Sequence, residues 1–142
     1  MNFEELIDAV KDEEVTLDLD ETQVKLASVG DGIILATVYL GELPDETLPE
    51  LRREMMAANH LFQETGGATL SLEPGTRHAF LQRRCQVSGE GEEAFLNHLA
   101  VLVQKAEEWK ARIFSIGDEN DFAPDNPDLD ELFSGQKIVF RV

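Results

Sequence analysis

Residues 40–74 read LGELPDETLPELRREMMAANHLFQETGGATLSLEP, and three kinds of backbone follow one another inside them. Gly41 and Pro44 close an apolar strand. Thr47 then stands three residues ahead of Glu50, the spacing of a capping box, and Pro49 is tolerated in a first helical turn. Leu48, Leu51, Met55, Ala58 and Phe62 recur every three or four residues, as in a helix that buries one stripe. Gly66-Gly67 stops that helix. Ala68, Leu70 and Leu72 alternate, which is the period of a strand.

Upstream, Phe3, Leu6, Ile7 and Val10 have helical spacing over residues 3–11. Val15, Leu17 and Leu19 alternate with Thr16 and Asp18, and Val24 and Leu26 alternate with Gln23 and Lys25. The link Asp20-Glu21-Thr22 is short enough for a hairpin. Gly30-Asp31-Gly32 is a second turn and opens onto residues 33–40, apolar on both faces as expected of a covered strand. Downstream, Glu73-Pro74-Gly75-Thr76 turns into a strand over 77–87. Ala79, Leu81, Cys85 and Val87 share one of its faces, and His78, Phe80, Gln82 and Arg84 share the other. Phe95, Leu99, Leu102, Ala106, Trp109 and Ile113 then follow a 4-3-4-3-4 spacing, thickened by Leu96 and Val103, and Gly117 ends the regular region. The order α-β-β-β-α-β-β-α is that of an α+β domain with a mostly antiparallel, twisted sheet over residues 1–113. Residues 114–142 form an acidic C-terminal extension.

Charge narrows the function classes. Of 142 residues, 29 are acidic and 12 basic, a formal charge of -17. Residues 1–50 carry 14 acids and 2 bases, a net of -12; residues 51–112 carry 8 of each; residues 113–142 carry 7 acids and 2 bases, a net of -5. Such a field repels phosphate backbones and anionic lipid, so neither nucleic acid nor a membrane is an expected partner. No apolar run is long enough to span a bilayer, and Met1-Asn2-Phe3-Glu4-Glu5 is no signal peptide. The lone Cys85 cannot form an intramolecular disulfide and fits a reducing, cytoplasmic compartment.

Reaction centres are absent from the pattern. There is no GxGxxG, P-loop, GxSxG or HExxH. His60, His78 and His98 fall on three different elements without ligand spacing, so no metal is expected. Asp118, Asn120 and Asp121 imitate the start of a calcium loop, but Phe122 and Leu129 occupy ligand positions. Cys85 shares its face with Ala79, Leu81 and Val87 and reads as core. No cofactor is implied. What does stand out is apolar surface: Phe80 sits among His78, Gln82 and Arg84, and the adjacent Met55 and Met56 cannot both face one core. A sheet covered on one face leaves the other for a second copy or an extended peptide.

The stretch quoted above, with AFLQRRCQV and with FLNHLAVLVQKAEEWKARI at residues 95–113, resembles the Tir chaperone family, the class I chaperones of bacterial type III secretion. In that family a leucine-rich helix ends near an alanine-asparagine pair, here Ala58-Asn59, and the closing helix ends with a tryptophan, here Trp109. The resemblance implies a non-enzymatic homodimer in the bacterial cytoplasm. It would bind the N-terminal segment of a secreted effector in extended, export-competent form, with components of the secretion apparatus as further partners. It assigns effector contacts to strand pairing and to apolar patches on the first helix and early strands, by position Leu6, Val10, Val15, Leu17 and Leu35. It assigns the dimer interface to the helix over 51–62 and the strand over 77–87, with Leu51, Met55, Met56, Phe80, Gln82 and Arg84 as contacts. Two rivals stay open: a regulatory adaptor of the same fold that sequesters a protein partner, and a small thiol-dependent enzyme using Cys85 and a histidine.

The tail is the part the resemblance covers least. Asn126-Pro127 reads as a cap and first turn, with Leu129, Leu132 and Phe133 on one stripe, and Ile138-Val139-Phe140 is strand-like. An acidic segment bearing the triplet Leu129, Leu132 and Phe133 can cover an effector-binding patch on the domain until cargo displaces it.

Overall fold

Asn2 opens the first helix by accepting a hydrogen bond from the Glu5 backbone N–H at 2.8 Å, while its own N–H donates to the Glu5 carboxylate. This capping box starts α1 (Phe3–Asp12) in a computed structural model that describes residues 2–45, 48–87, 89, 91–118 and 136–139. The elements that follow are β1 (Val15–Leu19), β2 (Thr22–Gly30), β3 (Ile33–Glu42), α2 (Leu48–Asn59), β4 (Thr69–Leu72), β5 (His78–Gln86), α3 (Glu92–Asp118) and β6 (Gln136–Val139). Through α3 this is the α+β order expected. Thr47, and with it the second capping box, lies outside the described residues, as does the stripe of Leu129, Leu132 and Phe133.

The sheet runs β4-β5-β3-β2-β1-β6. Its first five strands are antiparallel, and β6 adds in parallel beside β1. The β1–β2 link is tighter than a three-residue loop. Leu19 pairs with Thr22, leaving Asp20 and Glu21 at φ 48° and 70°, the left-handed pair of a type I′ turn whose twist suits a hairpin.

One face of the sheet carries the core. Val15, Leu17 and Leu19, then Val24 and Leu26, then Ile34, Ala36 and Val38, then Ala79, Leu81 and Cys85 line it and are buried. Phe95, Leu99, Leu102, Ala106, Trp109 and Ile113 press on it from α3, so the long-helix stripe read from the sequence is buried at every position. A Thr22 hydroxyl donating to Glu107 at 2.7 Å ties that helix to the first hairpin. Leu6 and Val10 of α1, and Leu51, Met55 and Ala58 of α2, complete the same cluster.

Three boundaries differ from the sequence reading, each for a physical reason. Gly41 does not end its strand; at φ 127° it sits in a bulge between Tyr39 and Gly41, and pairing resumes at Glu42↔His78. The second helix stops at Asn59, because Leu61 and Phe62 take φ of 61° and 57° inside the short 3-10 turn (His60–Phe62) that follows it. Phe62 is therefore exposed and not a member of the buried stripe. The third helix passes through Gly117 to Asp118, a glycine being merely unfavourable inside a helix. At Gly67 glycine is required: φ is +91°, and a Cβ there would drive into the Arg83 guanidinium, which donates to the Gly66 carbonyl at 2.8 Å.

Candidate functional site

The sheet face opposite the core is built by alternation, since each residue between two core positions points the other way. Register places Lys25, Thr37, Gln82 and Thr69 in one row across it, and Tyr39, Phe80 and Ser71 in the next. Among the described elements no helix covers this face. Gln82 joins its neighbours by donating to Thr37 at 3.3 Å and accepting from Ser71 at 3.1 Å. Tyr39 shares a hydrogen bond with His78 Nδ1 at 2.9 Å, and its ring lies 5.4 Å from that of Phe80. Burial, with the charges of Glu42 and Glu73 nearby, pushes the Tyr39 phenol up to about 12, so it stays a neutral hydrogen-bonding group.

A second surface lies at the end of α2. Met56, Leu61 and Phe62 are 75%, 70% and 48% exposed, in a chain that buries most residues of their kind. The left-handed backbone of Leu61 and Phe62 turns both side chains outward, a conformation that costs on the order of 1 kcal/mol or more per residue. Asn59 fixes this corner. Its side chain accepts from the Leu70 N–H at 2.8 Å and donates to the Leu70 carbonyl at 3.0 Å, imitating a strand partner along β4. A cleft of about 270 Å³ lies between α1 and the β2–β3 turn, with Ile7, Val10, Lys11, Ile33, Ile34 and Val87 among its lining.

The residues assigned by resemblance fall into different places. Leu6, Val10, Val15 and Leu17 are in the core, with at most 2% of their surface exposed. The physical reason is that α1 lies against the sheet and turns its apolar stripe inward, so its accessible apolar side chains are Phe3, Ile7 and Ala9. Leu35 is half-buried on the uncovered face, opposite Arg84. Of the six dimer positions, Leu51 and Met55 are core, whereas Phe80, Gln82 and Arg84 stand together on the uncovered face. Met56 is the exposed member of the methionine pair, on α2. Leu61 was missed because its left-handed backbone leaves no periodicity to read. Asn59 left a signal, since asparagine closes helices, but its partner in β4 is tertiary information.

Cys85 is 1% exposed within the core cluster. His78 lies seven residues along the same strand and on the opposite face, roughly 23 Å away at 3.3 Å per residue. Among the described residues no group of three His, Cys, Asp or Glu could hold a metal ion, and no described helix is long and apolar enough to cross a membrane.

Residues 9–110, well over half the chain, match the Tir chaperone protein (CesT) family. Chains of solved complexes share its fold. A chain of the heterodimeric ExoU-SpcU complex from the type III secretion system of Pseudomonas aeruginosa superposes with a TM-score of 0.56 at 17% identity, covering 72% of this chain and 81% of that one. A chain of the ExsC-ExsE complex gives 0.54 at 16% identity, covering 66% and 70%. A chain of the HopA1-SchA chaperone-effector complex gives 0.50 at 15%, covering 65% and 70%. Identities this low establish a shared fold. No curated protein sequence matches the chain.

Proposed function

The chain belongs to the Tir chaperone protein (CesT) family, and from that premise we propose that it is a homodimeric chaperone of type III secretion. In this reading it works in the bacterial cytoplasm, binds the N-terminal segment of a secreted effector in extended form, and keeps it competent for export. It does so without catalysis or cofactor, through contacts that include components of the secretion apparatus. The observation that carries the reading is the span of the family match, 9–110, which runs from within α1 almost to the end of α3. The surfaces are of the right kind. A neutral middle segment presents Phe80, Gln82 and Arg84 on a bare sheet face and Met56 on α2, where a second copy can pack without the repulsion that a patch at net -12 would meet. Leu51 and Met55 support that surface from beneath. Leu35 and the cleft beside Ile7 are the accessible apolar features near the assigned effector contacts, while Leu6, Val10, Val15 and Leu17 hold α1 and β1 in place behind them.

The test joins mass and cargo. Light scattering is expected to give twice the chain mass at micromolar protein and moderate salt, and Phe80→Asp to weaken the dimer, since a buried unpaired carboxylate costs several kcal/mol. Tagged protein recovered from the native cytoplasm is expected to carry a secreted protein whose N-terminal segment resists proteolysis. A monomer under those conditions, or a bound partner that is never exported, overturns the reading; the latter outcome would favour a regulatory adaptor.

A further inference from the structure

The antiparallel part of the sheet, β4-β5-β3-β2-β1, ends in two edges, and the structure treats them differently. At β4, Leu70 pairs with Leu81 on one side, and on the other both its backbone groups are taken by the Asn59 side chain. At Leu70, then, the fold itself closes the edge. At β1 the outward groups meet β6, with Val15, Thr16, Leu17 and Asp18 in register with Gln136, Lys137, Ile138 and Val139. This closure is of a weaker kind. It is four residues long, it is parallel, and parallel pairs are slightly less stable per residue. Residues 119–135 separate β6 from the end of α3, so it is held to the domain by a tether as well as by its ladder.

Charge says what kind of segment this edge accepts. Residues 134–142 read SGQKIVFRV: they hold Lys137 and Arg141, the two bases of the last thirty residues, and no acid. Of these, Gln136–Val139 pair with β1, which belongs to the most acidic third of the chain, where residues 1–50 have a net charge of -12. Strand pairing with an effector is what the family resemblance implies; we infer that in this chain Gln136–Val139 is the resident occupant of the β1 edge, which an extended, apolar, non-acidic segment of a partner must displace. The inference deepens the chaperone reading, which supplies only the identity of that partner. A tethered strand acts at an effective concentration of roughly millimolar. A free segment at micromolar concentration must therefore pair about a thousandfold more tightly than β6 to replace it, which requires contacts beyond the edge. Stray strands, including the edge of another copy, are kept off.

The test has a cargo-free arm and a cargo arm, both on the full chain. Lys137→Pro/Ile138→Pro removes adjacent backbone donors from β6, so whichever faces β1 is lost. Amide exchange followed by NMR is expected to speed up about tenfold at the β6-facing amides of residues 15–18, with β3 and β5 unchanged. A synthetic peptide of residues 134–142, at a few millimolar, should restore protection in this variant and leave the unmodified chain unaffected. Unchanged exchange in the variant, or no rescue by peptide, overturns the inference while leaving the chaperone reading intact. In the second arm, Asp18→Cys/Val139→Cys locks β6 in place when oxidised; these positions are register partners, and Cys85 is buried and does not compete. The N-terminal segment of the secreted partner recovered in the preceding experiment should bind the locked form at least about tenfold more weakly than the reduced form. Equal affinity, or failure of the bridge to form in the native chain, also overturns it. A chain that passes the first arm and carries no secreted protein overturns the chaperone reading instead.

Discussion

Replacing Asn59 by alanine removes two hydrogen bonds at once, to the Leu70 N–H at 2.8 Å and from its side-chain amide to the Leu70 carbonyl at 3.0 Å. Each such bond contributes about 0.5–1.5 kcal/mol net. Asn59 is half-buried, so water recovers part of the loss at one of the two groups, and the expected destabilisation is about 2 kcal/mol. Asn59→Asp sharpens the test. It keeps the shape and the acceptor for the Leu70 N–H but loses the donor, and it sets a carboxylate against the Leu70 carbonyl. It should therefore cost at least half as much as the alanine change, with no cavity to blame. Urea unfolding can be followed through the one tryptophan, Trp109, which is 2% exposed in α3 and donates to the Glu64 carbonyl at 3.5 Å. Each variant is measured at two protein concentrations, because association stabilises the folded state by mass action. Asn97→Ala, at an exposed position of α3, should stay within about 0.5 kcal/mol. If Asn59→Ala costs no more than Asn97→Ala, the side chain is not closing the β4 edge, and the contrast between the two sheet edges fails with it.

Cys85, at 1% exposure, should react with a thiol reagent only on unfolding, and Cys85→Ala should lower stability by about 1 kcal/mol without altering partner binding; rapid labelling of the native chain would restore the thiol-enzyme reading. Tyr39 has a folded pKa raised from 10.0 to about 12, so its contribution is fully present below pH 10 and disappears as pH rises toward 12. Tyr39→Phe should flatten that alkaline limb in a pH series of melting temperatures, and an unchanged limb would count against the buried neutral phenol. Glu107 has the opposite sign. Its carboxyl is held low, first by the Thr22 hydroxyl and then by Lys110, so Thr22→Val should remove part of the stability that is otherwise lost as pH falls below the usual carboxylate range. Glu21→Gly should stabilise the chain by about 0.5–1 kcal/mol in urea unfolding, since glycine adopts the φ of 70° that glutamate holds under strain. A loss would mean that the hairpin is not a type I′ turn in solution.

The elements through α3 were legible because each rests on a local period or a local stop signal. The six buried positions from Phe95 to Ile113 recur at helical spacing, and Val15, Leu17 and Leu19 alternate with the polar Thr16 and Asp18 at the period of a strand that turns one face to an apolar core. Charge is equally a property of sequence, and a formal -17 disfavours nucleic acid whatever the fold. Periodicity names the apolar face of an element but not what lies against it. Leu6, Val10, Val15 and Leu17 have the same pattern whether they meet a partner or the domain's own core, and only the docking of α1 and α3 on the sheet assigns them to the core. The outward turn of Leu61 and Phe62 follows from a left-handed kink held between a helix and a strand, which no spacing encodes. The pairing of residues 136–139 with β1 is the furthest from sequence. A short strand gains its hydrogen bonds only when an edge is free to receive it, and which edge is free depends on how the rest of the chain has folded.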